Sequence, residues 1–394
     1  MFDEGDDMTR APQTAAAFDA LLGSLARIRD DYIDNDARSH DELETVEGYG
    51  YLLQMVGHVS EFLIEADRER PRFSLIVSPA RKILGDNPDS IYHQAAIRGD
   101  RAYRIKGRRT GQDYISFTVH GTDPTGGYGG PVLADINDSH LQFDADDRYE
   151  IVLSANAPAD GDRAVWVKLD PDARMVLVRN YFQHELSAQN DPEIHVVLDI
   201  EPLDDLGPSP QVTDAEMADR INHAATMLEA ITIGLRVFGE PAKVSFVSNE
   251  PNSVGTPFSF RSTGEAVAGA VDIYYSSGTF ELGPDEALVM EGTIPPSRFT
   301  NVMLWNVHMQ TLDYRTRRNA LNQAQIVPEP DGSYRIVISA QDPGVPNWLD
   351  TSGHRRGTIF WRFLLPESQP ETPRCRVVKV ADLPRSIVAG AAAT

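Results

Sequence analysis

Between Arg72 and Pro202 the chain breaks into short runs rich in β-branched and aromatic residues: FSLIVS, AYRIKGRR, DYISFTVHG, YEIVLSA, RAVWVKLD, RMVLVRNYF and EIHVVLDIE. Gly, Asp, Asn and Pro separate them. Runs of this length, recurring about every ten residues, leave no room for the crossover helices that a parallel sheet requires. They predict an antiparallel β-sandwich or jelly roll. Within DYISFTVHG, Tyr114, Ser116 and Thr118 alternate with Ile115, Phe117 and Val119, so the strand carries one polar and one apolar face. The same texture returns beyond Pro241 in AVDIYYSSGTF, EALVMEGTI and RCRVVKV.

Helical spacing of Phe18, Leu21, Leu22, Leu25 and Ile28 predicts a first helix from Thr14 to about Ile33. A second is expected from about Asp41, with Ser39 or Asp41 as cap, to about Ala66, and Pro71 ends the pair. Thr213 reads as the N-cap of a longer helix that Gly239 and Pro241 close. The expected protein is α+β and mainly β. It has an N-terminal helical hairpin (1–70), a first β-rich half (71–207), a connecting helix (208–242), a second β-rich half (243–385) and a frayed tail (386–394). Helix followed by strands occurs twice, which is compatible with two related sandwich halves.

A chain of 394 residues can bury a sizeable core, and 41% hydrophobic against 24% charged residues is an ordinary globular balance. The formal net charge of -23 would repel nucleic acid. No apolar run is long enough to span a membrane, and the acidic start lacks the pattern of a secretory signal. With Cys375 as the single cysteine no internal disulfide forms, and a cytoplasmic location is the simplest expectation.

Three stretches concentrate chemistry. In GDNPDSIYH, Asp86, Asn87 and Asp89 crowd a proline turn that leads into Tyr92 and His93 on opposite faces of a strand. Such a turn is either a structural knot of side-chain to backbone bonds or one wall of a pocket. In RNYFQHE a strand ends with Tyr181, His184 and Glu185. No HxH, HExxH or CxxC spacing occurs, so neither a metal nor a cofactor is expected. From Asn301 to Phe363 come Trp305, His308, Tyr314 and Arg315, then Asn347 and Trp348 in the turn DPGVPNW. Arginines beside aromatic rings can hold an anion, or they can pair with Asp313, Asp342 or Asp350 and tie the loop to the sheet.

DNPDSIY, AYRIKGRR, YISFTVHG, NVMLWNVHMQTLDYRTRRNALN, PDGSYRIVIS and DPGVPNWLDTSGHRRGTIFWRFLLPE together resemble the bacterial family called domain of unknown function twelve-fourteen, most densely from about Ala287 to Glu367. The resemblance implies a β-sandwich or jelly roll, often in two successive halves. It implies no reaction.

From the residues, the expected function is hydrolysis of a small organic or glycoside-like substrate. Asp86, Asp89 and Glu185 would be its acid and base groups, Asp350 being a further carboxylate in reach. Asn87, Tyr92, Tyr181, Trp305, His308, Tyr314, Arg315, Asn347 and Trp348 would line the pocket. The alternative is a non-catalytic module that captures an anionic amphiphile or a partner protein. The acidic amphipathic N-terminal helices also offer a surface for a homo-oligomer.

Overall fold

A computed structural model describes residues 11–35, 39–159, 161–235, 242, 244–260 and 270–383. The first half contains a five-stranded sheet in the order β1 (Ser74–Leu75), β2 (Ser90–Ala96), β8 (Met175–Tyr181), β4 (Tyr114–His120), β5 (Val132–Asn137). Over it lies a four-stranded sheet, β7 (Val165–Lys168), β6 (Arg148–Ser154), β3 (Tyr103–Arg108), β9 (Val197–Pro202). The second half repeats this order. Its sheets are β10 (Phe258–Ser259), β11 (Ile273–Glu281), β17 (Arg356–Leu364), β13 (Phe299–Trp305), β14 (Ala320–Asn322), and β16 (Trp348–Asp350), β15 (Tyr334–Ser339), β12 (Glu286–Gly292), β18 (Arg374–Lys379).

The repetition extends to details. In each half a single parallel pair, β6 with β7 and β15 with β16, sits at the edge of the smaller sheet. The indole N–H of Trp166 donates to the Ser154 carbonyl, and that of Trp348 donates to the Ser339 carbonyl. Tyr149 lies over Gly107 and Tyr334 over Gly292, where no side chain would fit. Antiparallel sandwiches in two related halves are therefore present, as the strand texture predicts.

Each half has its own core between its sheets. Ile115, Phe117, Val119, Val176 and Val178 face Ile105, Ile151 and Leu153 in the first half. Val302, Leu304, Ile359, Trp361 and Phe363 face Met290, Ile336 and Ile338 in the second. Full burial of such side chains stabilises by about 1.5–3 kcal/mol each.

The helices tie the halves together. Helix α1 (Pro12–Ile28) begins at a proline suited to the first turn and ends in a π-helical turn, Arg29–Ile33. Helix α2 (Glu42–Val59) is capped by the Asp41 carboxylate, which accepts the Glu44 N–H, and continues as a second π-helical turn, Ser60–Ile64. Helix α3 (Asp214–Ile231) opens on the capping box Thr213/Glu216. It ends at Ile231 with Thr232 as its C-cap, short of the closure expected at Gly239 and Pro241, because the backbone leaves helical geometry at Thr232. Those two residues and the tail 386–394 lie outside the described residues. Asp214 accepts the Gln13 and Thr14 N–H groups, which lays α3 along α1. Helix α2 reaches the second half through the buried pair Glu44–Arg356, 2.7 Å, and through Glu47, which meets His354 and Asn306. No described helix is long and apolar enough to cross a membrane.

Candidate functional site

The polar faces of the two five-stranded sheets meet each other. On the first, the cross-strand row Tyr92, Arg179, Ser116, Asn137 spans β2, β8, β4 and β5. On the second, the equivalent row is Tyr275, Arg362, Asn301, Asn322 across β11, β17, β13 and β14. Each half therefore presents a tyrosine–arginine pair from matching positions. Even the guanidinium contacts match: Arg179 Nη1 donates to Thr118 Oγ1 at 2.7 Å, and Arg362 Nη1 to Met303 Sδ at 3.0 Å, each residue two places along the neighbouring strand.

Both guanidinium groups are deeply buried, with Arg179 5% and Arg362 6% exposed. Arg362 donates to the Gly85 carbonyl at 2.9 Å and lies over the rings of Phe360 and Trp305, and it forms no ion pair with a described carboxylate. A buried cation held only by a carbonyl, a thioether and rings carries a large desolvation penalty. Burial pushes the Tyr181 hydroxyl well above the ordinary phenol range and raises that of Tyr275, and both feel the two arginines. Burial pulls the Arg179 guanidinium down, but Tyr181, Tyr275 and Asp135 outweigh it and hold the group above its ordinary value. Tyr92 remains partly exposed, its hydroxyl 3.4 Å from that of Tyr181. On these facing surfaces Ser116 Oγ, Asn301 Oδ1 and Thr358 Oγ1 are buried with no hydrogen-bond partner among the described residues.

The turn Asp86–Asp89 forms the floor. Leu84 and Gly85 both take left-handed backbone conformations, φ 53° and 76°, and turn the chain beneath Trp305. Trp305 Nε1 donates to the Asp86 carbonyl at 3.0 Å. The Asp86 carboxylate accepts the Thr311 N–H at 2.7 Å, yet burial pushes its pKa up to about 6. Burial raises Asp89 as well, against the hydrogen bonds from Asn301 Nδ2 at 2.9 Å and Asn322 Nδ2 at 3.0 Å. Asn87 accepts the Asp89 N–H and a bond from Asn301. The sequence leaves this turn open between a knot and a wall. It is a knot, and it supports the wall that Tyr92 and Arg362 make.

The predicted residues thus divide. Asp86, Asn87, Asp89, Tyr92, Tyr181 and Trp305 come together between the halves. Glu185 does not join them: its side chain is exposed, and its carbonyl accepts from Gln325. Arg315 is also exposed. His308 lies beneath α2, with Nε2 2.8 Å from the Glu44 carbonyl. Tyr314 is buried under the Lys82 ammonium, 4.6 Å from the ring centre. Asn347 binds the Val327 backbone and the Arg335 carbonyl, and Trp348 belongs to the smaller sheet, on the far side of the second sandwich. Arg317 pairs with Asp350 at 2.8 Å and Arg318 donates to the Pro346 carbonyl, so these arginines tie the DPGVPNW loop. The Cys375 thiol is pushed up to about 11 by burial and is correspondingly unreactive.

Residues 281–368 match a family described as protein of unknown function (DUF1214). The whole fold is similar to that of an uncharacterised protein from Burkholderia cenocepacia, with 30% identity and a TM-score of 0.82 over 95% of this chain and 100% of that one. The chain belongs to the DUF1214 family. The VPA0106 protein from Vibrio parahaemolyticus is 12% identical over 84% of this chain and 97% of that one, with a TM-score of 0.49. No curated protein matches the chain. The DUF1214 match holds the second-half members of the site, Asn301, Trp305, Asn322 and Arg362, whereas Tyr275 and the first-half members lie outside it.

Sequence reasoning missed Arg179, Tyr275, Asn301, Asn322 and Arg362. A signal for the arginines exists: MVLVRNY and GTIFWRFL each carry one arginine within an apolar strand, which means a buried cation and a reason for it.

Proposed function

We propose that this protein binds a small organic anion between its two halves, with its charged group on Arg362 and Arg179 and its body against the tyrosine and phenylalanine rings. The observation that carries this reading is Arg362, a 6% exposed guanidinium in no ion pair with a described carboxylate. Asp86 and Asp89 act on Arg362 only from a distance, and a bound carboxylate or phosphate would pair with it directly in the bidentate geometry that arginine favours. Two matching tyrosine–arginine pairs suit a ligand with acidic groups at both ends. The test is calorimetric titration with mono- and dicarboxylic acids and inorganic phosphate. Wild type is expected to bind at least one class, dicarboxylates most tightly. Arg362→Gln should weaken binding roughly tenfold or more, and the exposed Arg315→Gln should not. Equal binding by folded Arg362→Gln would overturn the reading.

Hydrolysis is the second reading, favoured by the Asp86 carboxyl at about 6, a value suited to proton transfer near neutrality. A panel of nitrophenyl esters and glycosides tests it: turnover that Asp86→Asn abolishes supports it, and no turnover by wild type removes it.

A further inference from the structure

A cavity of about 1600 Å³ lies away from the facing sheets' centre, between the Glu61–Ser74 segment, helix α3 and the edge of the first five-stranded sheet. Its walls include Phe62, Phe73, Met217 and Met227, all wholly or partly buried. Arg68 also lines it, and its side chain makes no hydrogen bond or ion pair with any described residue. Three of the acidic residues on its walls are engaged with other arginines, Glu69 with Arg98 and Arg101, Asp67 with Arg70 and Glu61 with Arg81, while Asp219 acts on Arg68 without bonding it. Burial holds the Arg68 guanidinium below its ordinary value, and Arg174, Arg98 and Arg220 add to the effect, with Asp219 opposing. Arg98 and Arg174 have carboxylate partners of their own, Asp100 and Asp172, so Arg68 is a guanidinium on this wall left to meet a ligand. Gln94 Nε2 and His120 Nε2, both buried and unpartnered, reach the same cavity from the sheet.

We propose that this cavity is a second binding site, for an amphiphilic monoanion whose carboxylate or sulfonate sits on Arg68 while its apolar body lies along Phe62, Met217 and Met227. Arg174 and Arg220 strengthen the field at the head group. The volume exceeds the about 300–1,000 Å³ usual for drug-sized ligands, so it admits a long chain or an extended ring system.

The probe is anilinonaphthalene sulfonate, followed by fluorescence on the full chain, with uncharged phenylnaphthylamine as the matched control and dodecanoate as competitor. One saturable site is expected, displaced by dodecanoate. Arg68→Gln should weaken the sulfonate about tenfold or more and leave the neutral amine within about twofold, and Arg68→Lys should recover part of the loss. The proposal is overturned if wild type shows no saturable site, if Arg68→Gln binds the sulfonate as wild type does, or if it loses both probes equally with a native circular dichroism spectrum. Arg362→Gln is a further control. If that variant, and not Arg68→Gln, abolishes sulfonate binding, the anion goes between the halves and the second site does not exist.

Discussion

Asp89 and Asp272 hold the same place in their respective halves, immediately before the second strand, and each is bound by the opposite half. Asn322 of the second half donates to Asp89 at 3.0 Å, and Asn137 of the first half, the residue that matches Asn322, donates to Asp272 at 2.8 Å. The Phe182 N–H bonds the Asp89 carbonyl and the Leu365 N–H bonds that of Asp272. The halves are thus joined by a reciprocal exchange of buried carboxylates.

Removing Asp272 takes an acceptor from Asn137 and Tyr114. Removing Asp89 takes one of two acceptors from each of Asn301 and Asn322, which keep Asn87 and the His184 carbonyl respectively. Asp272→Ala is expected to destabilise by about 2–4 kcal/mol, since it strands Asn137 and the Tyr114 hydroxyl, which lies 2.5 Å from the carboxylate. Asp89→Ala should fall in the same range. Urea denaturation checks both, and a loss below about 0.5 kcal/mol would mean that the exchange does not hold the halves.

Gly85 is expected to be the least replaceable glycine of the site. A Cβ there would lie 2.8 Å from the Trp305 ring, and its φ of 76° disfavours any side chain. Gly85→Ala should lower stability by about 2–4 kcal/mol and shift the Trp305 fluorescence, because strain and overpacking act together.

The Asp86 carboxyl makes stability fall as pH rises. Its folded value of about 6 lies above the ordinary 3.8, so the native state holds the proton more tightly than the unfolded chain does. That contribution is complete below about pH 4 and is lost as pH rises through about 6, and the gap corresponds to ~3 kcal/mol. Asp86→Asn should remove this slope. Urea midpoints between about pH 4 and pH 7 compare the two proteins, and parallel curves would refute the assignment.

His354 behaves with the same sign through a different cause. Its Nδ1 lies 2.9 Å from the Thr351 carbonyl and its Nε2 2.9 Å from Glu47, so only the imidazolium donates to both. Burial lowers its pKa, and the Glu47 hydrogen bond and charge more than offset that. The clamp between α2 and the second half is therefore fully present below the unfolded value near 6.5 and lost as pH rises through the higher folded one. Glu47→Gln should cost about 1 kcal/mol at pH 6 and flatten the slope that begins at the unfolded value near 6.5. Hydrogen exchange of α2 amides across that range is the direct measurement.

Much of the architecture is legible in local pattern. Asp41 and Thr213 cap helices because their side chains compete for free N–H groups, a property visible without any partner. Tyr114, Ser116 and Thr118 also announce a polar strand face. What local pattern cannot show is that this face meets a second sheet instead of water, because that depends on a pairing between residues about 200 positions apart, as in Asn301 with Asp89. For the same reason Arg315, in a cluster conspicuous by composition, lies at the surface, while Arg362, isolated in an apolar strand, lies at the centre. Glu185 stands out by its neighbours in sequence, but it lies in a bend beyond β8 with its side chain exposed.

The repeated strand order has a consequence for association. A half expressed alone would expose a row of tyrosine, arginine and asparagine side chains whose natural complement is a copy of almost the same row, as in an isologous dimer. Free subunits would have to meet across that polar surface at cellular concentrations. Fused in one chain, they are held at an effective concentration in the millimolar range, so the contact can stay polar and still persist.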